Sequence, residues 1–214
     1  MDKISYVVID TNVFIELSHI SVDYVPKKRD AGFRHILRSI KRLNRSGHVK
    51  FVITPTVLAE IMRVNKDIKP SARQRELDFL KEHCLVYKPE DEADFAAKTY
   101  NLASDYLESG VMQVRKKNNY GDSLIMAEAS LLGLNLLTMN SRDFSFYDDE
   151  CGGKRKKNHR ANDIMELNKR KKLSYTTMAG MRVTPRPYSP EEFMELFKSG
   201  MFEGKKNAKQ VFGE

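Results

Sequence analysis

Three short runs, "SYVVID" (5–10), "VKFVIT" (49–54) and "LNLLTM" (134–139), are apolar almost without interruption. A strand with one wet face alternates apolar and polar residues, whereas a strand buried on both faces reads as a continuous apolar run. The intervals between these runs are helical in pattern. Phe33, Ile36, Leu37, Ile40 and Leu43 recur at helical spacing over 32–46, Thr54 and Pro55 open a helix over 55–65, and Pro70 and Ser71 open one over 71–83. Two more helices are expected, from Glu90 to about Glu108 and from Asp122 to Leu132, the second stopped by Gly133. Strands separated by helices pair in parallel through right-handed crossovers, so the expected fold class is α/β, a central, mostly parallel sheet flanked by helices.

In such sheets ligands collect beyond the carboxyl ends of the strands. The first strand ends there in three polar side chains, Asp10, Thr11 and Asn12. Taken alone, Asp10 reads as a helix cap, Glu60 in "TPTVLAEIMR" as a surface residue, and Asp122 in "NNYGDSLIMAEASLLG" as another cap. Just past the third apolar run, "TMNSRDF" adds Asn140 and Asp143. Carboxylates crowded at one sheet end repel one another and raise their own pKa values unless a cation neutralises them. Oxygen donors of this kind suit a hard ion such as Mg2+ or Mn2+, which acidifies a bound water and clamps a phosphate oxygen as charge develops on it.

Charge points the same way. The 214 residues carry a formal net charge of +8, yet residues 151–214 hold 15 Lys plus Arg against 7 Asp plus Glu while the preceding 150 are balanced. A basic appendage binds polyanions by releasing their counterions, and it also serves as a solvated, solubilising segment. Its densest runs are Lys154, Arg155, Lys156 and Lys157, then Lys169, Arg170, Lys171 and Lys172. Two cysteines without paired spacing suggest neither a zinc site nor a disulfide framework. No apolar run is long enough to span a bilayer and no signal peptide pattern opens the chain, so a cytoplasmic protein with no membrane partner is expected. Tyr6, Tyr120, Tyr147 and Tyr175 are candidates for stacking on bases, with core or rim packing as the commoner role.

The segments "VVIDTNVFIEL", "TPTVLAEIMR" and "GDSLIMAEASLLGLNLLTMNSRDF", in that order, resemble a PIN domain, and most of all the small VapC-like toxin ribonucleases. The resemblance covers roughly residues 4–146. It implies a three-layer α/β fold and metal-dependent cleavage of RNA, with Mg2+ or Mn2+ held directly by Asp10 and Asp122 and the acidic cluster completed by Glu60. Thr11 or Asn12 would position water or phosphate. The fourth acidic position of the family falls on Asn140 or on Asp143. The resemblance further implies a homodimer and an antitoxin partner. Beyond the resemblance the chain departs from that pattern, since a compact domain would place its last strand soon after "RDF": a nuclease domain at 1–146 is followed by a basic insertion at 147–180, a late strand expected at 181–185, and a helix within 181–214. In that helix Ser189 is the cap, Pro190 the first residue, and Phe193, Leu196 and Phe197 the apolar face. Two alternatives stand beside an endoribonuclease: a nuclease acting on DNA or structured junctions, and a degenerate domain that binds RNA without cutting it.

Overall fold

The computed structural model describes residues 4–21, 32–63, 69–110, 112, 120–140, 159–176 and 182–199. The three apolar runs form β1 (Ser5–Ile9), β2 (Val49–Ile53) and β4 (Asn135–Leu137). Two further strands, β3 (Cys84–Val86) and β7 (Pro187–Tyr188), complete a five-stranded sheet in the order β3-β2-β1-β4-β7, every pair parallel. Val7, Val8, Ile9, Phe51, Val52, Ile53, Leu136 and Leu137 are wholly buried, which is why these strands show no alternation.

Among the described residues eight helices flank this sheet: α1 (Thr11–His19), α2 (Phe33–Arg45), α3 (Pro55–Met62), α4 (Pro70–His83), α5 (Glu92–Glu108), α6 (Tyr120–Leu131), α7 (His159–Arg170) and α8 (Pro190–Lys198). Helix α1 packs on α2 and α4, α5 packs on α6, and α3 touches both α1 and α6. The architecture is α/β and consistent with a three-layer PIN-like fold. Gly133 ends α6 with a φ of 64° while Leu134 donates its amide back to Ala129, a closure that favours glycine at the left-handed position. None of the described helices is long and apolar enough to cross a membrane.

The C-terminal third departs from the expected course. Residues 182–183 (β6) pair antiparallel with 175–176 (β5) in a separate two-stranded ribbon, so the main sheet gains its last strand later, at Pro187–Tyr188. Strand β4 donates its Leu136 and Thr138 amides to the carbonyls of Arg186 and Tyr188, an arrangement that asks no N–H of Pro187. Helix α7, inside the basic segment, is not merely solvated. Ile164 and Asn168 are wholly buried, and Asn168 accepts a hydrogen bond from the Tyr106 hydroxyl (2.7 Å) while donating to Ser130 Oγ (2.9 Å) and the Pro185 carbonyl (3.0 Å). Helix α8 is capped by Ser189, whose hydroxyl accepts the Glu192 amide at 3.2 Å, and it docks on α2 with Phe193 buried.

Candidate active site

The strand order reverses between β1 and β4, because β2 and β3 lie to one side of β1 and β4 and β7 to the other. Crevices at such a reversal, outside the carboxyl ends of the strands, are where open α/β sheets bind ligands. Register pairs Ile9 with Leu137, so the next residues of both strands, Asp10 and Thr138, emerge side by side. Asp10 occupies the N-cap position of α1, but its carboxylate makes no capping hydrogen bond. It accepts instead from the Thr138 hydroxyl at 2.7 Å, and only 3% of the residue is exposed. Burial pushes its carboxyl above the usual carboxylate range; the Thr138 hydroxyl opposes that shift, the charge of Glu60 adds to it, and the amides of Asn12 and Thr11 draw it back.

Glu60 is exposed on α3 and accepts a hydrogen bond from the Thr11 hydroxyl through one carboxylate oxygen. Its other oxygen faces the start of α6 so closely that a Cβ on Gly121 would lie 3.1 Å from it. Glycine there leaves room for the Glu60 carboxylate against the first turn of α6, and Asp122 is the next residue. Helix α6 begins at Tyr120, so Asp122 lies within its first turn and is not its cap. One oxygen of Asp122 accepts from the Asn140 carboxamide at 2.9 Å, while the Asn140 amide donates to Thr138 Oγ1 at 3.0 Å. Thr11, Asn12, Asp10, Glu60, Asp122 and Asn140 therefore gather at one end of the sheet, Asn12 exposed at the rim.

The donors are the carboxylate and carboxamide oxygens that a hard divalent cation takes. Among the described residues, however, no three His, Cys, Asp or Glu side chains stand together closely enough to hold an ion. Each of the three carboxylates instead gives one oxygen to a neutral donor: Asp10 to Thr138, Glu60 to Thr11, Asp122 to Asn140. A buried carboxylate with another carboxylate's charge upon it fits a cation, which would relieve both penalties at once.

Other expected residues lie elsewhere. Asp143 and Lys154, Arg155, Lys156 and Lys157 fall outside the described residues. Lys169, Arg170, Lys171 and Lys172 follow Asn168, which is tied to Ser130, eight residues beyond Asp122 along α6 and thus about 12 Å away along its axis. That places them toward the opposite end of the sheet from the carboxylates. Lys169 pairs with Glu166 at 2.6 Å and Lys171 with Asp105, so part of this charge is met within the chain.

Two residues that the sequence reading passed over shape the site. Thr138 bridges Asp10 and Asn140; its signal was its place one step beyond the strand register partner of Ile9. Glu128, 3% exposed on α6, accepts from the Thr56 amide (3.1 and 3.2 Å) and the Thr56 hydroxyl (2.8 Å), so it caps the start of α3 from a neighbouring helix where Thr54 makes no side-chain cap. Burial pushes the Glu128 carboxyl up, the side chains of Thr54 and Thr56 and the Thr56 amide oppose this, and the charge of Glu60 pushes it further.

No protein-family model matches the chain, and no curated protein matches it. Among solved structures it is similar to VapBC2 from Rickettsia felis bound to a DNA fragment from their promoter, with a TM-score of 0.41 and 16% identity over 64% of this chain and 89% of that one. It is also similar to FitAcB from Neisseria gonorrhoeae, with a TM-score of 0.37 and 14% identity over 63% of this chain and 88% of that one. These are likenesses of outline, and nothing about the site rests on them.

Proposed function

We propose that this chain is a divalent-metal-dependent endoribonuclease that hydrolyses RNA phosphodiester bonds, acting as the toxin of a toxin–antitoxin pair. The observation that carries the reading is Asp10: a carboxylate buried at the reversal of strand order, held by the Thr138 hydroxyl, and facing the charge of Glu60. Asp10 and Asp122 would hold Mg2+ or Mn2+, with Glu60 completing the set. When bound, the cation supplies a more acidic water and a clamp on a phosphate oxygen. The chain's own neutral donors fix the carboxylates: Thr138 orients Asp10, Thr11 orients Glu60, and Asn140 orients Asp122. Asn12, exposed beside them, positions phosphate or water. The toxin reading, and with it the antitoxin and a homodimer, rests on the resemblance in sequence.

Asn140 favours a second reading, a degenerate domain that binds RNA without cutting it, because a carboxamide there lowers the negative field a cation needs and occupies Asp122. Labelled single-stranded RNA and DNA of one sequence, incubated with the purified chain in Mg2+, in Mn2+ and in chelator, separate these readings. Metal-dependent RNA cleavage that Asp10→Asn and Asp122→Asn each abolish is the expected result. Intact RNA in both metals leaves the binding reading, and preferential cutting of DNA overturns the substrate.

A further inference from the structure

Helix α6 enters the site through Tyr120, Gly121 and Asp122, so the residue two before a proposed metal ligand is aromatic. The Tyr120 ring meets the ring of Tyr100 edge-on, centroids 5.8 Å apart at 61°. Its phenol oxygen is shielded from solvent, so Tyr120 is the inner ring of the pair. Tyr100, reaching it from α5, is 59% exposed. Among the described residues the other exposed large hydrophobic side chains are Met62 and Leu85, both less exposed than Tyr100, and neither presents a ring. An aromatic face left in water beside a phosphodiester-cutting site has an evident occupant, because every base has a π-face and unpaired bases stack on such rings without regard to sequence.

We propose that Tyr100, backed by Tyr120, is a base-stacking subsite that seats one unpaired nucleotide of a single-stranded RNA flanking the stretch presented to Asp10 and Asp122. This rests on the reading of the adjoining carboxylates as a site on RNA. Residues two apart on a helix point about 200° apart, so Tyr120 and Asp122 leave the first turn of α6 on opposite sides; Gly121 between them meets Glu60, and the ring pair flanks the turn that carries Asp122. The subsite predicts a preference for unpaired RNA, since bases of a duplex are already stacked on one another and offer the ring no face.

The test is binding, in chelator and in the Asp10→Asn background, of a short single-stranded RNA and of the same sequence as a duplex. Tyr100→Ala should weaken the single strand by roughly 5- to 150-fold, the range of one missing base stack, and leave the duplex unchanged. Tyr100→Phe keeps the ring and should hold the affinity within about twofold. The chain has 9 Tyr and no Trp, so quenching of tyrosine emission by bound RNA is readable, and Tyr100→Phe should remove part of it. Equal affinities of Tyr100→Ala and the parent for the single strand, as expected if this ring meets a protein instead, would overturn the subsite. So would an equal loss for strand and duplex. Binding that depends on Tyr100 in a chain that leaves RNA intact with metal keeps the subsite and removes the nuclease; cleavage with no dependence on Tyr100 does the reverse.

Discussion

Glu128 offers a test in which hydrogen bonding and buried charge are separable. Its carboxylate is the acceptor for the amide of Thr56, a first-turn amide with no partner inside α3, and for the Thr56 hydroxyl at 2.8 Å. Glu128→Ala strands both donors in a part-buried place. At about 1–3 kcal/mol for each unsatisfied group, and with the hydroxyl free to turn, a loss of roughly 2–4 kcal/mol relative to Glu128→Gln follows. Glu128→Gln keeps one accepting oxygen and removes the charge, so the difference between the two variants isolates the hydrogen bonds. The difference between Glu128→Gln and the parent isolates the charge. Because the folded carboxyl titrates above its unfolded value, the parent has its full stability below the unfolded pKa and loses some as pH rises through the folded pKa. The advantage of Glu128→Gln should accordingly grow with pH across that window and level off above it. Urea unfolding in chelator from pH 3.5 to 8 reads both quantities. Equal stability of the Ala and Gln variants, or a Gln advantage that shrinks as pH rises, would refute the assignment of Glu128 as the cap of α3.

Asp10→Asn should abolish cleavage yet leave the metal-free protein at least as stable at neutral pH, with any gain vanishing below the unfolded carboxylate value of about 3.9, as thermal unfolding at several pH values will show. Replacing Lys154, Arg155, Lys156 and Lys157 by Ser should weaken RNA binding alike across sequences and lower the slope of log affinity against log salt by roughly 0.7–0.9 for each phosphate that these residues no longer neutralise. An unchanged slope assigns those residues to solubility or to a protein partner. Tyr106→Phe removes the hydroxyl that Asn168 and Ser130 share, and should cost about 1–3 kcal/mol in denaturant unfolding.

Burial left a plain record where strands were long enough to show it. The runs at 5–10, 49–54 and 134–139 are legible because their central residues are apolar on both faces, and Ser189-Pro190 is legible because a cap and a first helical proline are local chemistry. Strand β3, whose three residues are at most half-buried where those of β4 are fully buried, and β7, with two, carry no buried run to read, and their place in the sheet is set by neighbours distant in sequence. The gathering of Asp10, Glu60, Asp122 and Asn140 could be anticipated from strand ends, but their division into three hydrogen-bonded pairs could not, because the donors Thr11, Thr138 and Asn140 become partners only through register. Glu128 carried the same signal as Glu60, a charge among apolar helix residues, and was overlooked because its partner lies 72 residues away.

Strand β7 gives the site a place in time. The Thr138 amide donates to the Tyr188 carbonyl, and the hydroxyl of the same threonine holds Asp10, a contact across 128 residues. During synthesis β1, β2, β3 and β4 all leave the ribosome before residues 187–188, so the nascent sheet has an open edge at β4 and an Asp10 whose tether is not yet anchored. The order of strands in the sequence thus brings Thr138 beside Asp10 through β1 and β4 first, and leaves the Thr138 backbone without its β7 partner until residues 187–188 have been translated.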